Sequence, residues 1–285
     1  MSLVITGATG QLGRLVIEAL LPKIPAAQIV AAVRNPEKAK DLAALGVQVR
    51  QADYGQPATL EAAFQGVEKV LLISSSEVGQ RAAQHGAVID AAAKAGVKLI
   101  AYTSLLRADS SPLALAGEHK ATEDALRASG LPFVLLRNGW YTENRTAGVA
   151  AALQHGAVLG AAGDGRTASA ARADYAAAAA AVLTREDQAG RVYELAGDTA
   201  YTLSELAAEI AHQSGKAVAY QDLPEPAFKA ALVQAGLPEG FAGLLADSDT
   251  GTAKGGLFDD SRQLSQLIGR PTTPLATTVA AALAA

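Results

Sequence analysis

The chain has 285 residues, half of them hydrophobic but only 5% aromatic, and a formal net charge of -4. That length can bury a substantial core, as one large α/β domain or two lobes, while the mild acidity excludes the basic stripe that a nucleic-acid backbone requires. With no cysteine, disulfides, thiolate nucleophiles and zinc–thiolate sites are excluded; with no apolar stretch of about 18 residues and no signal peptide, a soluble cytoplasmic protein is expected.

The first half alternates short β-branched runs with longer helical patterns. Strands are predicted at Leu3–Thr6, Gln28–Val33, Val47–Gln51, Lys69–Ser74, Leu99–Thr103 and Phe133–Arg137. Helices are predicted at Gln11–Leu21, Pro36–Leu45, Gln84–Ala95 and Glu118–Ser129, three of them followed by a capping glycine (Gly46, Gly96, Gly130). Repeated βα units of this length make a Rossmann-like, doubly wound parallel sheet with helices on both faces. After Arg137 the rhythm changes. Residues 138–169 read as loops, with "GDG" at Gly163–Gly165 as a turn. A helix from Ala171 to Leu183 and a strand from Arg191 to Gly197 then return to the sheet. Thr202 and Glu205 form a capping-box pattern, and "FDD" at Phe258–Asp260 reads as a helix start. The expected division is a nucleotide-binding domain over 1–137 with a return segment at about 170–197. A smaller, mostly helical lobe would comprise 138–169 and 198–285.

Between the first strand and first helix stands Gly7-Ala8-Thr9-Gly10-Gln11-Leu12-Gly13. The first glycine permits the turn, the second lets a pyrophosphate approach the backbone, and the third lets helix and strand pack closely; the helix N-terminus faces the anion. NAD sites carry an acid at the end of the second strand. Here that position is Arg34, which suits the 2′-phosphate of NADPH. Asp53 closes the third strand, within reach of an adenine amino group, and Ser74, Ser75 and Ser76 close the fourth, within reach of ribose and pyrophosphate. Either set serves equally well as a cap or turn.

Reductases built on such a loop commonly protonate a carbonyl with a Tyr-x-x-x-Lys pair and a serine. None of the seven tyrosines has lysine four residues later; Tyr141 has Arg145 there, and Ser104 stands without a partner. A quinone needs no such relay, because hydride transfer gives a delocalised hydroquinone anion and solvent can supply the second proton. A sensor that binds NADP without catalysis fits the same observation, whereas an epimerase or carbonyl reductase fits poorly. Trp140 and Tyr141 follow the sixth strand as a ligand wall, or Trp140 simply packs between lobes. His119 either polarises a quinone oxygen or is structural. Arg172 and Asp174 close a cleft or pair with each other. His85, His155 and His212 show no metal-ligand spacing.

The blocks "ITGATGQLG", "VRNPEKA", "VRQADYG", "LLISSSEVGQR", "AYTSLL", "LLRNGWYTEN", "RADYAAAAA" and "KGGLFDDS" together resemble the type 2 NADPH:quinone oxidoreductases, in the NmrA-like, atypical branch of the short-chain dehydrogenases. The resemblance spans nearly the whole chain. It implies NADPH bound at Gly7–Leu12, Arg34, Ser74–Ser76 and Asn138–Glu143 (Asn138, Gly139, Trp140, Tyr141, Thr142 and Glu143), with Thr103 nearby. It also implies two-electron reduction of a quinone in a cleft between the lobes; Trp140, Tyr141 and Arg172 are the residues expected to touch it, and a homo-oligomer is possible. Relatives in this branch often carry a lysine four residues before a glutamate after the fifth strand. Here His119 stands at that spacing from Glu123, with Lys120 beside it.

Overall fold

The computed structural model describes residues 2–285. Two compact units emerge, one of 1–105, 117–138 and 172–193, the other of 106–116, 139–171 and 194–285. The excursion 106–116 thus belongs with the second unit, a segment that sequence patterning leaves inside the first.

The first unit alternates strand and helix: β1 (Leu3–Thr6), α1 (Gln11–Leu20), β2 (Ile29–Val33), α2 (Lys40–Ala44), β3 (Gln48–Gln51), α3 (Pro57–Ala63), β4 (Lys69–Leu72), α4 (Arg81–Lys94), β5 (Leu99–Leu105), α5 (Ala116–Ala128) and β6 (Phe133–Asn138). The predicted helix Pro36–Leu45 resolves into a 3-10 turn and α2. Pro36 starts the turn and the Asn35 side chain caps it by accepting from Glu37 N. Helix α3 was not expected; Pro57 in its first turn supplies the preset φ.

The sheet runs β3-β2-β1-β4-β5-β6-β8, where β8 is Val192–Leu195. Its registers are parallel, as in β1 on β2 (Leu3 opposite Ile29) and β5 on β6 (Ile100 opposite Phe133). Central strands are buried on both faces and therefore read as unbroken apolar runs, LVIT and IVAAV, while the edge strand β3 is the polar QVRQ. Val4, Val30, Val70 and Ile100 face one core with Leu60, Phe64 and Val88. On the other face the alanine-rich α8 (Arg172–Thr184) packs on α1 and touches β4 and β5. Lys69 ties it down by donating to the carbonyls of Leu183 and Arg185, at 2.9 and 3.0 Å, where a cation suits the negative end of the helix dipole.

The second unit carries α6 (Thr142–Thr146), α7 (Val149–His155), β7 (Ala157–Gly160), α9 (Leu203–Ser214), β9 (Ala219–Asp222), α10 (Glu225–Gln234), α11 (Glu239–Ala253), α12 (Gln263–Ile268) and α13 (Leu275–Ala284). The unit is mostly helical, as expected, and adds one parallel pair, β7 with β9; each strand has only four residues, too few for period-2 alternation to show in the sequence. One expectation needs correction: "FDD" does not start a helix. Asp259 Oδ1 instead accepts from Ser261 N and Oγ, at 2.9 and 2.6 Å, closing an Asx turn ahead of α12. The Thr202–Glu205 capping box at the start of α9 is present in both directions. No helix of the described residues is long and apolar enough to cross a membrane.

Candidate functional site

A parallel sheet presents the carboxyl ends of its strands at one edge, and the order reverses between β1 and β4, the usual ligand position in open α/β sheets. Gly7 takes a left-handed φ of +59 to turn out of β1. A Cβ on Gly13 would stand 2.5 Å from Gly7 O and 2.7 Å from the Ala8 Cα, so only glycine lets α1 start this close to the strand. The helix opens at Gly10 with no side-chain cap and no acid in its first turn, leaving its first N–H groups and positive dipole end for an anion. Arg14 braces the loop, donating to Thr9 O and Lys38 O and pairing with Asp41. Residues Gly7 to Gly13 fit a dinucleotide pyrophosphate.

Arg34 stands at the end of β2 with an exposed guanidinium, and its Nη1 lies 3.0 Å from Glu77 Oε1 in the loop after β4. That loop is heavily tied. Ser74 N donates to Thr103 Oγ1 (2.9 Å), Ser75 N to His85 Nε2 (2.9 Å), and Arg81 Nε to Ser75 O (2.6 Å). The structure therefore brings Arg34, Ser74–Ser76 and Thr103 together. Asp53 is engaged locally: its Oδ1 accepts from Gly55 N, and its own N–H donates to Thr59 Oγ1. Tyr54 beside it is buried, its hydroxyl 2.6 Å from Thr6 Oγ1 and 2.9 Å from Ile73 O, so β1, β3 and β4 are held at their carboxyl ends.

Beneath the serine loop lies a buried aromatic group. Because Ser75 N–H must donate, His85 Nε2 carries no proton. Its Nδ1 then donates to Thr122 Oγ1 (2.8 Å), whose own hydroxyl donates to Glu118 O. Burial, then the Arg81 charge, holds the His85 pKa down at about 4. His119 is 7% exposed, with Nδ1 2.8 Å from the Tyr102 hydroxyl. Burial first, then the charges of Arg81 and His85, lowers its pKa to about 3. Both rings are neutral near pH 7.

Glu123, one turn along α5 from His119, is fully buried. Its carboxylate accepts from Ser104 Oγ (2.6 Å), Arg137 Nε (2.9 Å) and Nη2 (2.7 Å), and Arg127 Nη2 (3.0 Å). The serine expected beside a catalytic tyrosine is thus consumed in a structural network. Asn138, at the end of β6, is 6% exposed and its Oδ1 is a buried acceptor without a protein partner among the described residues.

In the second unit Gly139 N donates to Leu195 O, and the Thr142 hydroxyl is linked through Ser169 to Tyr201, at 2.8 and 2.7 Å. Trp140 is 8% exposed and carries Arg145 over its ring, 5.7 Å from the centroid. Arg145 in turn pairs with buried Asp249 at 2.5 Å, so the basic residue four after Tyr141 is committed elsewhere. Tyr141 precedes α6 and Glu143 lies in its first turn. Arg172 opens α8 in the first unit, half-buried, with Asp174 fully buried two residues on. Glu77, Arg81 and Arg137 escape sequence reasoning, because their partners lie 6 to 43 residues away in no fixed spacing.

A family model described as NAD(P)H-binding matches residues 7–186. Quinone oxidoreductase 2 of Escherichia coli (strain K12) is 65% identical over 275 residues, covering 96% of each chain. The chain belongs to the NAD(P)H-binding, NmrA-like family of type 2 quinone oxidoreductases. Solved structures of similar proteins agree in fold. A crystal structure of an NADPH-dependent quinone oxidoreductase from Escherichia coli, complexed with NADPH, matches with TM-score 0.97 and 64% identity over 99% of both chains. Triphenylmethane reductase of Citrobacter sp., complexed with NADP(H), matches with TM-score 0.95 and 44% identity, over 99% of this chain and all of that one. Type 2 quinone oxidoreductase membership thus covers both units and not the nucleotide-binding half alone.

Proposed function

We propose that the protein is an NADPH-dependent quinone reductase. The observation that carries this reading is the pairing of a nicotinamide-dinucleotide cradle with a spent acid–base relay. Gly7–Gly13 and Arg34 fit the cofactor, while Ser104 is bound to Glu123 and no tyrosine has lysine four residues later. Reduced nicotinamide supplies a hydride when bound. A quinone that accepts it needs one further proton, which solvent provides, to become a hydroquinone. The 65% identity to an E. coli quinone oxidoreductase supports the same substrate class.

The chain's own residues then bind and orient. Arg34 takes the 2′-phosphate; Ser74–Ser76 and Thr103 border the ribose side; Asn138 offers its partnerless Oδ1 to a carboxamide N–H. In the second unit Trp140, held by Arg145, gives the quinone a flat apolar surface, with Tyr141 as a further contact. His119 acts as a neutral donor. Nδ1 lies 2.8 Å from the Tyr102 hydroxyl; in the tautomer in which that hydroxyl donates, the ring proton sits on Nε2, which has no protein partner among the described residues, and from there it holds the developing oxyanion.

Stopped-flow mixing of NADPH-loaded protein with a small benzoquinone tests this. The expected result is loss of NADPH absorbance at a rate that saturates with quinone. Decay at the protein-free rate, with NADPH still bound, would leave the second reading, an NADP sensor. For His119→Ala we expect kcat to fall about 10-fold or more with cofactor affinity unchanged; an unchanged kcat removes His119 from the chemistry.

A further inference from the structure

Nicotinamide sites of this architecture read the adenine ribose with a residue at the end of β2, an acid for a 2′-hydroxyl or a cation for a 2′-phosphate. Here the β2 position is Arg34, yet a carboxylate stands beside it from elsewhere in the chain. Glu77 comes from the loop after β4, and its Oε1 lies 3.0 Å from Arg34 Nη1. This is a built contact. Glu77 Oε2 accepts from Gln84 Nε2 of α4 at 2.8 Å, and Glu77 N donates to Ser75 Oγ at 3.1 Å. Two ties thus aim the carboxylate at the guanidinium. Arg34 commits only Nη1 to it, so Nε and Nη2 remain as donors among the described residues.

We propose that Glu77 is a specificity-determining residue: it supplies from the β4 loop the ribose acceptor that β2 lacks, and with Arg34 sets the preference between NADPH and NADH. The inference rests on the reading of Arg34 as a phosphate ligand. The physical argument is one of opposite signs. A carboxylate at this point accepts a hydrogen bond from a 2′-hydroxyl and stabilises bound NADH. The same carboxylate repels a phosphate dianion and competes with it for the Arg34 fork, which weakens NADPH. The site therefore accepts both cofactors, favouring NADPH by less than Arg34 alone would allow. A side chain that merely propped Arg34 would strengthen NADPH and leave NADH untouched.

Calorimetric titration of NADP⁺ and NAD⁺ into purified wild type, Glu77→Gln, Glu77→Lys and Arg34→Ala separates these cases without turnover. Glu77 is half-exposed, and its replacement leaves the core intact. For Glu77→Gln we expect NADP⁺ to bind about 3- to 10-fold tighter, the scale of like-charge repulsion near a surface, and NAD⁺ to bind more weakly. Glu77→Lys should move both affinities further in the same directions. Parallel changes for the two cofactors, or weaker NADP⁺ binding in Glu77→Gln, would overturn the proposal. Arg34→Ala separates the two failures. If it weakens NADP⁺ far more than NAD⁺ while Glu77→Gln shifts neither, the phosphate reading stands and the Glu77 proposal fails. If Arg34→Ala weakens both equally, the phosphate reading itself fails.

Discussion

His85 and His119 sit on one buried cluster around Tyr102 but carry different tasks. His85 has both ring nitrogens committed, to Ser75 N and Thr122 Oγ1, and so fixes the loop that borders the cofactor. His119 commits only Nδ1. Their lowered pKa values, about 4 and about 3, make folding pH-dependent. The unfolded chain takes up protons near 6.5, whereas the folded chain refuses them until about 4 and below. Between those limits the unfolded state binds more protons, so stability falls as pH drops and the loss levels off below about 3. At pH 5 each histidine should cost about 2 kcal/mol relative to pH 7. Urea unfolding at the two pH values checks this, and His85→Gln should remove roughly half of the difference; a flat profile would show that the rings are not held neutral. Glu123 shows the opposite balance. Burial pushes its carboxyl up, but the hydrogen bonds from Arg137 and Ser104 and the Arg137 charge outweigh it, and the pKa lies below the usual range. At this scale the place of Arg34, directly after β2, was legible, because the apolar run of that strand ends at it. Glu77 was not, since its contact with Arg34 depends on how β2 and β4 are ordered in the sheet.

The glycine turn and α1 form the element on which cofactor binding rests. Gly10 and Gly13 differ sharply in what they tolerate. A Cβ at Gly10 would lie 3.1 Å from Gly7 O, whereas at Gly13 it would meet backbone at 2.5 and 2.7 Å. Backbone cannot swing aside as a side chain can, so Gly13→Ala must lift α1 from β1. We expect a loss of about 2–3 kcal/mol in unfolding free energy, together with a larger loss of NADP⁺ affinity than of stability, measured by calorimetry and chemical denaturation. Wild-type affinity in a stable Gly13→Ala protein would contradict the cradle. Elements with a strong local signal were readable: the glycine loop, the Thr202–Glu205 capping box, and the apolar strands buried on both faces. β7 and β9 were not. Their sequences, AVLG and AYQD, are short, β7 only partly buried and β9 mostly exposed, and they form a pair through contacts 62 residues apart in register. At "FDD" a residue type favoured at helix starts closes a turn instead, because Asp259 finds its hydrogen-bond donors at Ser261, within its own loop.

Across the whole molecule, the alternation of strand and helix in the first unit dictates a parallel sheet, and a parallel sheet dictates that β1, β2, β4, β5 and β6 present their carboxyl ends together. That is why the glycine loop, Arg34, Ser74–Ser76, Thr103 and Asn138, scattered over 132 positions, lie at one edge. The chemistry attached to that edge follows from what is missing as much as from what is present. Ser104 is locked to Glu123, and His119, in the buried cluster around Tyr102, is held neutral. Such a site can deliver a hydride to an acceptor that spreads its charge, but has no strong acid for a localised alkoxide. The most direct measurement is therefore NADPH consumption by the purified protein with matched acceptors, a benzoquinone and a simple aliphatic ketone. The account predicts one hydroquinone formed per NADPH consumed, far above the protein-free rate, and no ketone reduction. Ketone reduction at a comparable rate, or quinone reduction no faster than without protein, would contradict it.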